Sequence, residues 1–309
     1  MTPPASTASP PVSLHTVIAA RGHRLELETP DGRRVPARTK GKRLRVVCGD
    51  RVEAEPLAGE ADWLITAIGE RRNALARIDS RGRAETLAAN VDQLAVTIAV
   101  LPEPDFFIVD RYLCAAELMG IDAAVLYNKI DLRDATEPEP AALSEYEALG
   151  YPVLRLSAEC GIGLDALKRR LAGGISMLVG QSGVGKSSLI NAIVPDADRR
   201  IAEVSLARRE GRHTTVAAEM LLLPAGGRLI DSPGVRDFAP HIPDDADVDQ
   251  GFREIREASA RCRFNDCRHR SEPDCAVQAA VAAGAISERR YASYRRLLNL
   301  TRQLRRDYE

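Results

Sequence analysis

Several features are scarce in this 309-residue chain, and each scarcity removes a class of function. Long hydrophobic runs are missing. The longest, such as LAVTIAVL from Leu94 to Leu101, fall far short of the ~20 apolar residues that a bilayer-crossing helix needs, so no membrane role is expected. No lipidation motif is present to supply an anchor instead. The first residues, MTPPASTASPPVS, offer neither a basic n-region nor an apolar h-region, so no secretory signal is read. Their Pro, Ser and Thr content predicts a disordered tail over 1–13. Net charge is also scarce: at -1 it gives no global field toward nucleic acid or membrane. Cysteines number six, too few and too uneven for a disulfide scaffold, which points to a reducing, cytoplasmic compartment. Trp63 is the only tryptophan, and 14–75 holds no Tyr or Phe, so base stacking is not that region's mode. Trp63 is expected to pack in a core.

What is present falls into three regions. Over 14–75, alternating stretches such as HRLELET, RLRVVCGDRVEAE and ADWLITAI are separated by Gly, Pro and Asp-Gly, the pattern of a small β-barrel of the OB type. Arg33, Arg34, Arg38, Lys40, Lys42, Arg43 and Arg45 make its middle basic, either as a solvated face or as an RNA contact. Over 76–245, apolar runs alternate with helical stretches, which predicts an α/β domain with a parallel sheet covered on both faces. VDRYLCAAELMG reads there as an amphipathic helix. Over 246–309 the chain becomes mainly helical around clustered Cys and His.

The chemistry begins at Gly180-Gln181-Ser182-Gly183-Val184-Gly185-Lys186-Ser187-Ser188, a match to G-x4-G-K-[ST] between a strand and a helix. Gly183 and Gly185 let backbone N–H groups curl around phosphate oxygens, and the following helix N-terminus favours the anion. Lys186 is the ligand for the β and γ phosphates, and the Ser187 hydroxyl for Mg²⁺. Downstream, an apolar strand runs into D-S-P-G, where Asp231 is placed to hold Mg²⁺ and Gly234 to sense the γ-phosphate. Between them, Thr214 or Thr215 is available to complete the Mg²⁺ shell.

Asn128-Lys129-Ile130-Asp131 follows the apolar AAVLY. The Asp131 carboxylate suits the N1–H and 2-amino donors of guanine and repels adenine, with Asn128 bracing loops and Lys129 lying over the ring. Ser157-Ala158 follows the next strand at the spacing of a second base-contacting loop. This base reader precedes the phosphate loop, whereas ordinary GTPases run phosphate loop first, so the order predicts a circular permutation, which compact domains tolerate. The chain after Gly234 then leads into the C-terminal region, so nucleotide state is expected to reposition that region.

Cys262-x4-Cys267-x-His269-x5-Cys275 supplies four ligands for a tetrahedral, structural Zn²⁺ with no open position. Next comes SERRYASYRRLLNLTRQLRR, an amphipathic helix with an Arg-bearing face, either solvated or set against RNA phosphates.

The order of base reader, phosphate loop, GRHTT, DSPGV and C-x4-C-x-H-x5-C behind a small barrel closely resembles that of the small-ribosomal-subunit-dependent GTPases, the RsgA/YjeQ family. The resemblance covers nearly everything after residue 14. It implies a cytoplasmic GTP hydrolase, monomeric, with one zinc ion per chain and Mg²⁺ with GTP. It further implies binding to the 30S subunit and its 16S rRNA, and late maturation of that subunit with subunit-stimulated turnover. Val235 stands where a Gln would orient water, so unaided hydrolysis is expected to be slow, with His213 as the replacement catalytic group. A GTP-gated RNA-binding scaffold with little hydrolysis is the alternative that Val235 favours.

Overall fold

The computed structural model describes residues 14–22, 24–41, 44–79, 82–194, 218–231, 238–242 and 245–306. The 1–13 tail, His213, Thr214, Thr215, Gly234 and Val235 lie outside the described residues.

The first five strands are β1 (Leu14–Arg21), β2 (Arg24–Glu28), β3 (Arg34–Thr39), β4 (Arg51–Pro56) and β5 (Trp63–Ile68). They pair in the order β1-β2-β3-β5-β4, and β4 returns to β1, which closes a barrel of OB topology. Strand period 2 explains which residues fill it. In β2, Leu25 and Leu27 are buried while Arg24 is exposed and Glu26 and Glu28 are only half-buried. Val17, Ala37, Val52 and Ile65 complete that core, and Trp63 packs at its edge against His15, ring centroids 5.0 Å apart.

A hairpin of β6 (Ala74–Ile78) and β7 (Ala84–Ala89) follows as a separate two-stranded sheet, which straddles the expected boundary at 75. It is pressed against the barrel. A Cβ on Gly49, whose φ is +92°, would stand 2.0 Å from the Ala89 carbonyl oxygen.

The α/β sheet contains β8 (Gln93–Ala99), β9 (Asp122–Asn128), β10 (Val153–Arg155), β11 (Ile175–Gly180), β12 (Ala218–Leu222) and β13 (Arg228–Asp231), in the order β10-β9-β8-β11-β13-β12. All neighbours are parallel except β12 with β13. Every residue of β8 is buried, as a strand covered on both faces requires. The sequence does not reveal that β12 also pairs with β1, at Ala19↔Glu219 and Ala20↔Ala218. Barrel and α/β sheet therefore run on as one eleven-stranded sheet, reinforced by an Arg228–Glu28 ion pair.

Four helices cover this sheet: α1 (Phe106–Met119), α2 (Ala141–Ala148), α3 (Leu164–Leu171) and α4 (Lys186–Ile193). The expected amphipathic helix is α1, started by Asp105, whose carboxylate accepts the Phe107 N–H at 2.9 Å, and stopped by Gly120 at φ 65°. It has no solvated face over its first turns, because Phe107 to Ala116 are all buried. Val109, Tyr112 and Leu113 join the sheet core, whereas Phe107 and Cys114 join a C-terminal core.

That C-terminal part comprises a 3-10 segment (Asp245–Gly251), α5 (Arg253–Ser259), α6 (Ala276–Ala282) and α7 (Glu288–Arg306). Phe252, Ile255, Val277, Tyr294, Leu297 and Leu298 fill it. Contact with α1 is close. A Cβ on Gly251 would lie 2.1 Å from Cys114 Sγ. Arg253 bridges to Glu117 at 2.7 Å and lies over the Tyr151 ring at 3.9 Å.

Candidate functional site

Strand β11 ends at Gly180, where φ is 136° and a Cβ would stand 2.1 Å from the Thr97 carbonyl oxygen. Only glycine lets the chain leave the sheet this close to β8. The loop turns through Gly183 and Gly185, at φ 84° and 91°, into α4, whose first N–H groups have no side-chain cap. They are left for an anion. Lys186 lies beneath the loop, its Nζ donating to the carbonyls of Gly180 at 2.8 Å and Gln181 at 2.7 Å. Burial lowers its ammonium pKa, and the Asp231 carboxylate opposes that shift. Asp231 ends β13 in register with Leu178 of β11, so the carboxylate stands at the same sheet edge. Ser182, Ser187 and Ser188 are exposed there.

The base-reading residues reach this edge from the end of β9. Asn128 is buried and clamps three loops: Nδ2 donates to the Val184 carbonyl at 3.0 Å, and Oδ1 accepts the Ala158 N–H at 3.4 Å. Lys129 adopts φ 59° and its Nζ donates to the carbonyls of Gly183 at 2.6 Å and Leu101 at 2.8 Å. The Ile130 N–H donates to the Leu156 carbonyl at 3.1 Å, which fixes the one-turn helix Ile130–Leu132. Asp131 projects from that turn, exposed. Ser157 is buried and its Oγ accepts the Cys160 N–H at 3.0 Å, shaping the second loop.

Sequence reasoning thus named Asn128, Lys129, Ile130, Asp131, Ser157, Ala158, the loop 180–188 and Asp231, and the fold brings them to one sheet edge. It missed the segment after β8. Leu101 accepts from Lys129, Pro102 lies 3.8 Å from a Cβ position on Gly183, and the Asp105 N–H donates to Gln181 Oε1 at 3.5 Å. LPEPD signals a turn but no chemistry, which is why it passed unnoticed.

Gly185→Ala is expected to abolish nucleotide binding while leaving the fold intact. The new methyl group would meet Asn128 Nδ2 at 2.4 Å, the atom that positions the base loop. Titration with a fluorescent guanine nucleotide checks it; affinity within a few-fold of the parent chain would refute the clamp.

The second cluster is the expected metal set. The ligand atoms of Cys262, Cys267, His269 and Cys275 all lie within 4.8 Å of one another. Sulfurs about 2.3 Å from a common tetrahedral ion stand about 3.8 Å apart. Cys262 and Cys275 Sγ are 3.9 Å apart, and His269 Nδ1 is 3.5 and 3.4 Å from them. The residues fit zinc. His269 Nε2 faces the Asp249 carboxylate at 3.8 Å, on the side away from the sulfurs, where a supporting carboxylate orients a ligand ring. Burial works to raise the Cys275 thiol pKa, yet the Gln278 N–H in α6 and His269 bring it below its ordinary value. The loop is braced by Glu272, which accepts N–H groups of Arg268, Arg270 and Ser271 at 3.0, 2.6 and 3.0 Å, and by the Tyr291 hydroxyl, which donates to the His269 carbonyl. Those bonds outweigh burial and hold the Glu272 carboxyl down to about 2. Cys262→Ser is expected to abolish stoichiometric zinc, read by elemental analysis of the purified chain. Full zinc retention would remove Cys262 from the ligand set.

Comparison with known proteins agrees with this geometry. The RsgA GTPase family model matches residues 68–240. The Small ribosomal subunit biogenesis GTPase RsgA of Pseudomonas aeruginosa is 42% identical over 285 residues, covering 91% of this chain and 84% of that one. The chain belongs to the RsgA GTPase family. It is accordingly a GTP hydrolase. The protein of the same name from Alcanivorax borkumensis is 44% identical over 290 residues, covering 91% of this chain and 82% of that one. Among solved structures, YjeQ from Thermotoga maritima superposes with TM-score 0.70 at 30% identity, covering 94% of this chain and 98% of that one. YloQ, described as a circularly permuted GTPase, shares the fold at TM-score 0.71 and 24% identity, covering 94% and 95%. The permuted order is visible here too, since the base-reading loop after β9 precedes the phosphate loop after β11 in the chain yet meets it in space. Among the described residues no helix is long and apolar enough to cross a membrane.

Proposed function

We propose that the chain is a monomeric cytoplasmic GTPase that binds the small ribosomal subunit through its 16S rRNA and acts late in that subunit's maturation, with hydrolysis stimulated by the subunit. The observation that carries the nucleotide half is the Asn128 clamp, which joins the base loop, the Ala158 loop and the phosphate loop across one sheet edge. The ribosomal half is supported by the relatives' names.

In this reading, N–H groups of 180–188 and Lys186 cradle the β and γ phosphates, and Asp131 reads guanine. Ser187 and Asp231 would hold Mg²⁺, with Thr214 or Thr215 completing its shell in the GTP state; the ion would neutralise charge on the phosphates. Gly234 senses the γ-phosphate. His213 orients the attacking water and takes its proton, the part that Val235 cannot play. Cys262, Cys267, His269 and Cys275 would hold a structural zinc that fixes the knuckle before α7.

GTP turnover measured alone and with 30S, 50S or 70S particles tests this. Strong stimulation by 30S alone is expected, with His213→Ala reducing stimulated turnover on the order of 10²-fold. Slow turnover that no particle accelerates would favour a GTP-gated scaffold, the reading suggested by Val235.

A further inference from the structure

Helix α7 carries seven arginines between Arg289 and Arg306 and no acid, and the fold divides their work. Arg289 and Arg290, at its first turn, face inward. They pair with Asp110, Glu145 and Glu254 at 2.7 to 2.9 Å, so their charge is spent inside the protein. Two turns on, Arg295 and Arg296 are exposed, and among the described residues neither forms an ion pair. They border a groove of about 600 Å³ between α7 and the start of α1.

The groove's composition is one-sided. Phe107 and Leu300 give it an apolar floor, Arg295 and Arg296 supply two exposed guanidiniums beside the buried Arg111, and Asn299 and Gln303 add amides. Among the described residues no carboxylate lines it. Arg296 lies over the Phe107 ring at 4.0 Å and Arg111 at 4.9 Å, so two guanidiniums are held on one phenyl group. Anions placed in the groove gain charge-assisted hydrogen bonds from the exposed Arg295 and Arg296. The residues 292, 295, 296, 299, 300 and 303 follow helical spacing, so the basic stripe runs along the helix as a track rather than a point.

We propose that this α1–α7 groove is an RNA phosphate-backbone track, docking a strand of the small subunit's rRNA. It rests on the small-subunit reading above and deepens it by naming the surface. A track of guanidiniums suits successive phosphates, and among the described residues the only aromatic lining the groove is the buried Phe107, which suits backbone rather than base contact. The position has a consequence for turnover. Phe107 lies two residues from Asp105, whose N–H reaches Gln181 of the phosphate loop at 3.5 Å. The groove's Phe107 is therefore joined through the start of α1 to a contact with the phosphate loop.

The test uses the full chain carrying Arg295→Gln with Arg296→Gln, and separately Ala292→Glu, which adds a carboxylate to the groove without touching an arginine. All three positions are exposed, and zinc content and GTP affinity verify the fold. Binding to purified 30S subunits and to naked 16S rRNA is measured against salt. The double variant is expected to weaken both by on the order of 10-fold, with the slope of log K against log salt shallower by about 1.4 to 1.8, as for two lost phosphate contacts. Ala292→Glu is expected to weaken both in the same sense. Unchanged affinity and slope, with the parent chain binding normally, would overturn the groove. Loss of 30S binding with rRNA binding intact would overturn it too and assign the face to a ribosomal protein. A parent chain that binds neither particle nor rRNA would bring down the small-subunit reading, and the groove proposal with it.

Discussion

Asp110→Ala is expected to destabilise the seam between the GTPase sheet and the C-terminal domain by about 3–5 kcal/mol, the cost of removing one partner from a buried ion pair. Asp110 is fully buried in the middle of α1, and its carboxylate accepts from Arg290 at 2.7 Å, Arg289 at 2.9 Å and the Tyr146 hydroxyl at 2.7 Å. Burial, and then Asp110 itself, raise the Tyr146 pKa well above its usual value, so that hydroxyl acts as donor. Arg290 is 1% exposed, and its other partner is Glu254 at 2.7 Å. Without Asp110 its guanidinium keeps one carboxylate but loses its hydrogen bond to α1, and the charge stays buried at the seam. Trp63 lies in the barrel, so its fluorescence does not report on this region. Urea unfolding followed by circular dichroism, with hydrogen exchange in α7, is the suitable measurement. A midpoint unchanged to within about 0.5 kcal/mol would show that the pair adds nothing net, as exposed pairs often do.

That network also explains where the sequence was legible. The phosphate loop, the base reader and the metal ligands are short motifs whose chemistry fixes residue type and spacing, so one chain suffices to read them. The barrel and the βα rhythm follow from periods of 2 and 3.6 in apolar residues, and both are present as expected. Contacts between regions carry no such local code. VDRYL reads as one turn of an amphipathic helix, yet Asp110 and Arg111 are buried because α1 is covered on both sides. Likewise Ala19 and Ala20 give no sign that β1 will pair with β12, since sheet-edge pairing is made by backbone groups that every residue owns. The arginines of α7 look alike in sequence. Packing separates Arg290, buried between Asp110 of α1 and Glu254 of α5, from Arg296, which lies exposed over the Phe107 ring. The expectation that nucleotide state repositions the C-terminal domain meets a physical constraint here. The Asp110 network and the Gly251–Cys114 contact tie that domain to α1, so any such motion must carry α1 with it.

Asp131→Asn is expected to invert base choice, lowering GTP affinity by about 10²–10⁴-fold while creating affinity for xanthosine triphosphate. Asp131 is exposed on a one-turn helix held in place by the Ile130 N–H and by Lys129, neither of which needs the carboxylate. Changing it therefore costs little folding energy, within about 0.5 kcal/mol for such a surface position. Binding bears the whole effect. A carboxylate accepts from both N1–H and the 2-amino group of guanine, and two hydrogen bonds to a charged group contribute roughly 3–6 kcal/mol. At about 1.4 kcal/mol per tenfold, that spans the expected loss. An asparagine amide still accepts from N1–H, but its Nδ2 donor then faces the 2-amino donor of guanine. Xanthine carries a carbonyl at that position, so the same Nδ2–H finds an acceptor. Competition of GTP and xanthosine triphosphate for a labelled nucleotide, in the parent chain and the variant, separates the outcomes. If GTP binds the variant as tightly as the parent, the base is read elsewhere and Asp131 is only a solvated turn residue. If GTP is lost without a gain for xanthosine triphosphate, the turn itself has shifted, and the Ile130–Leu156 hydrogen bond at 3.1 Å becomes the feature to examine.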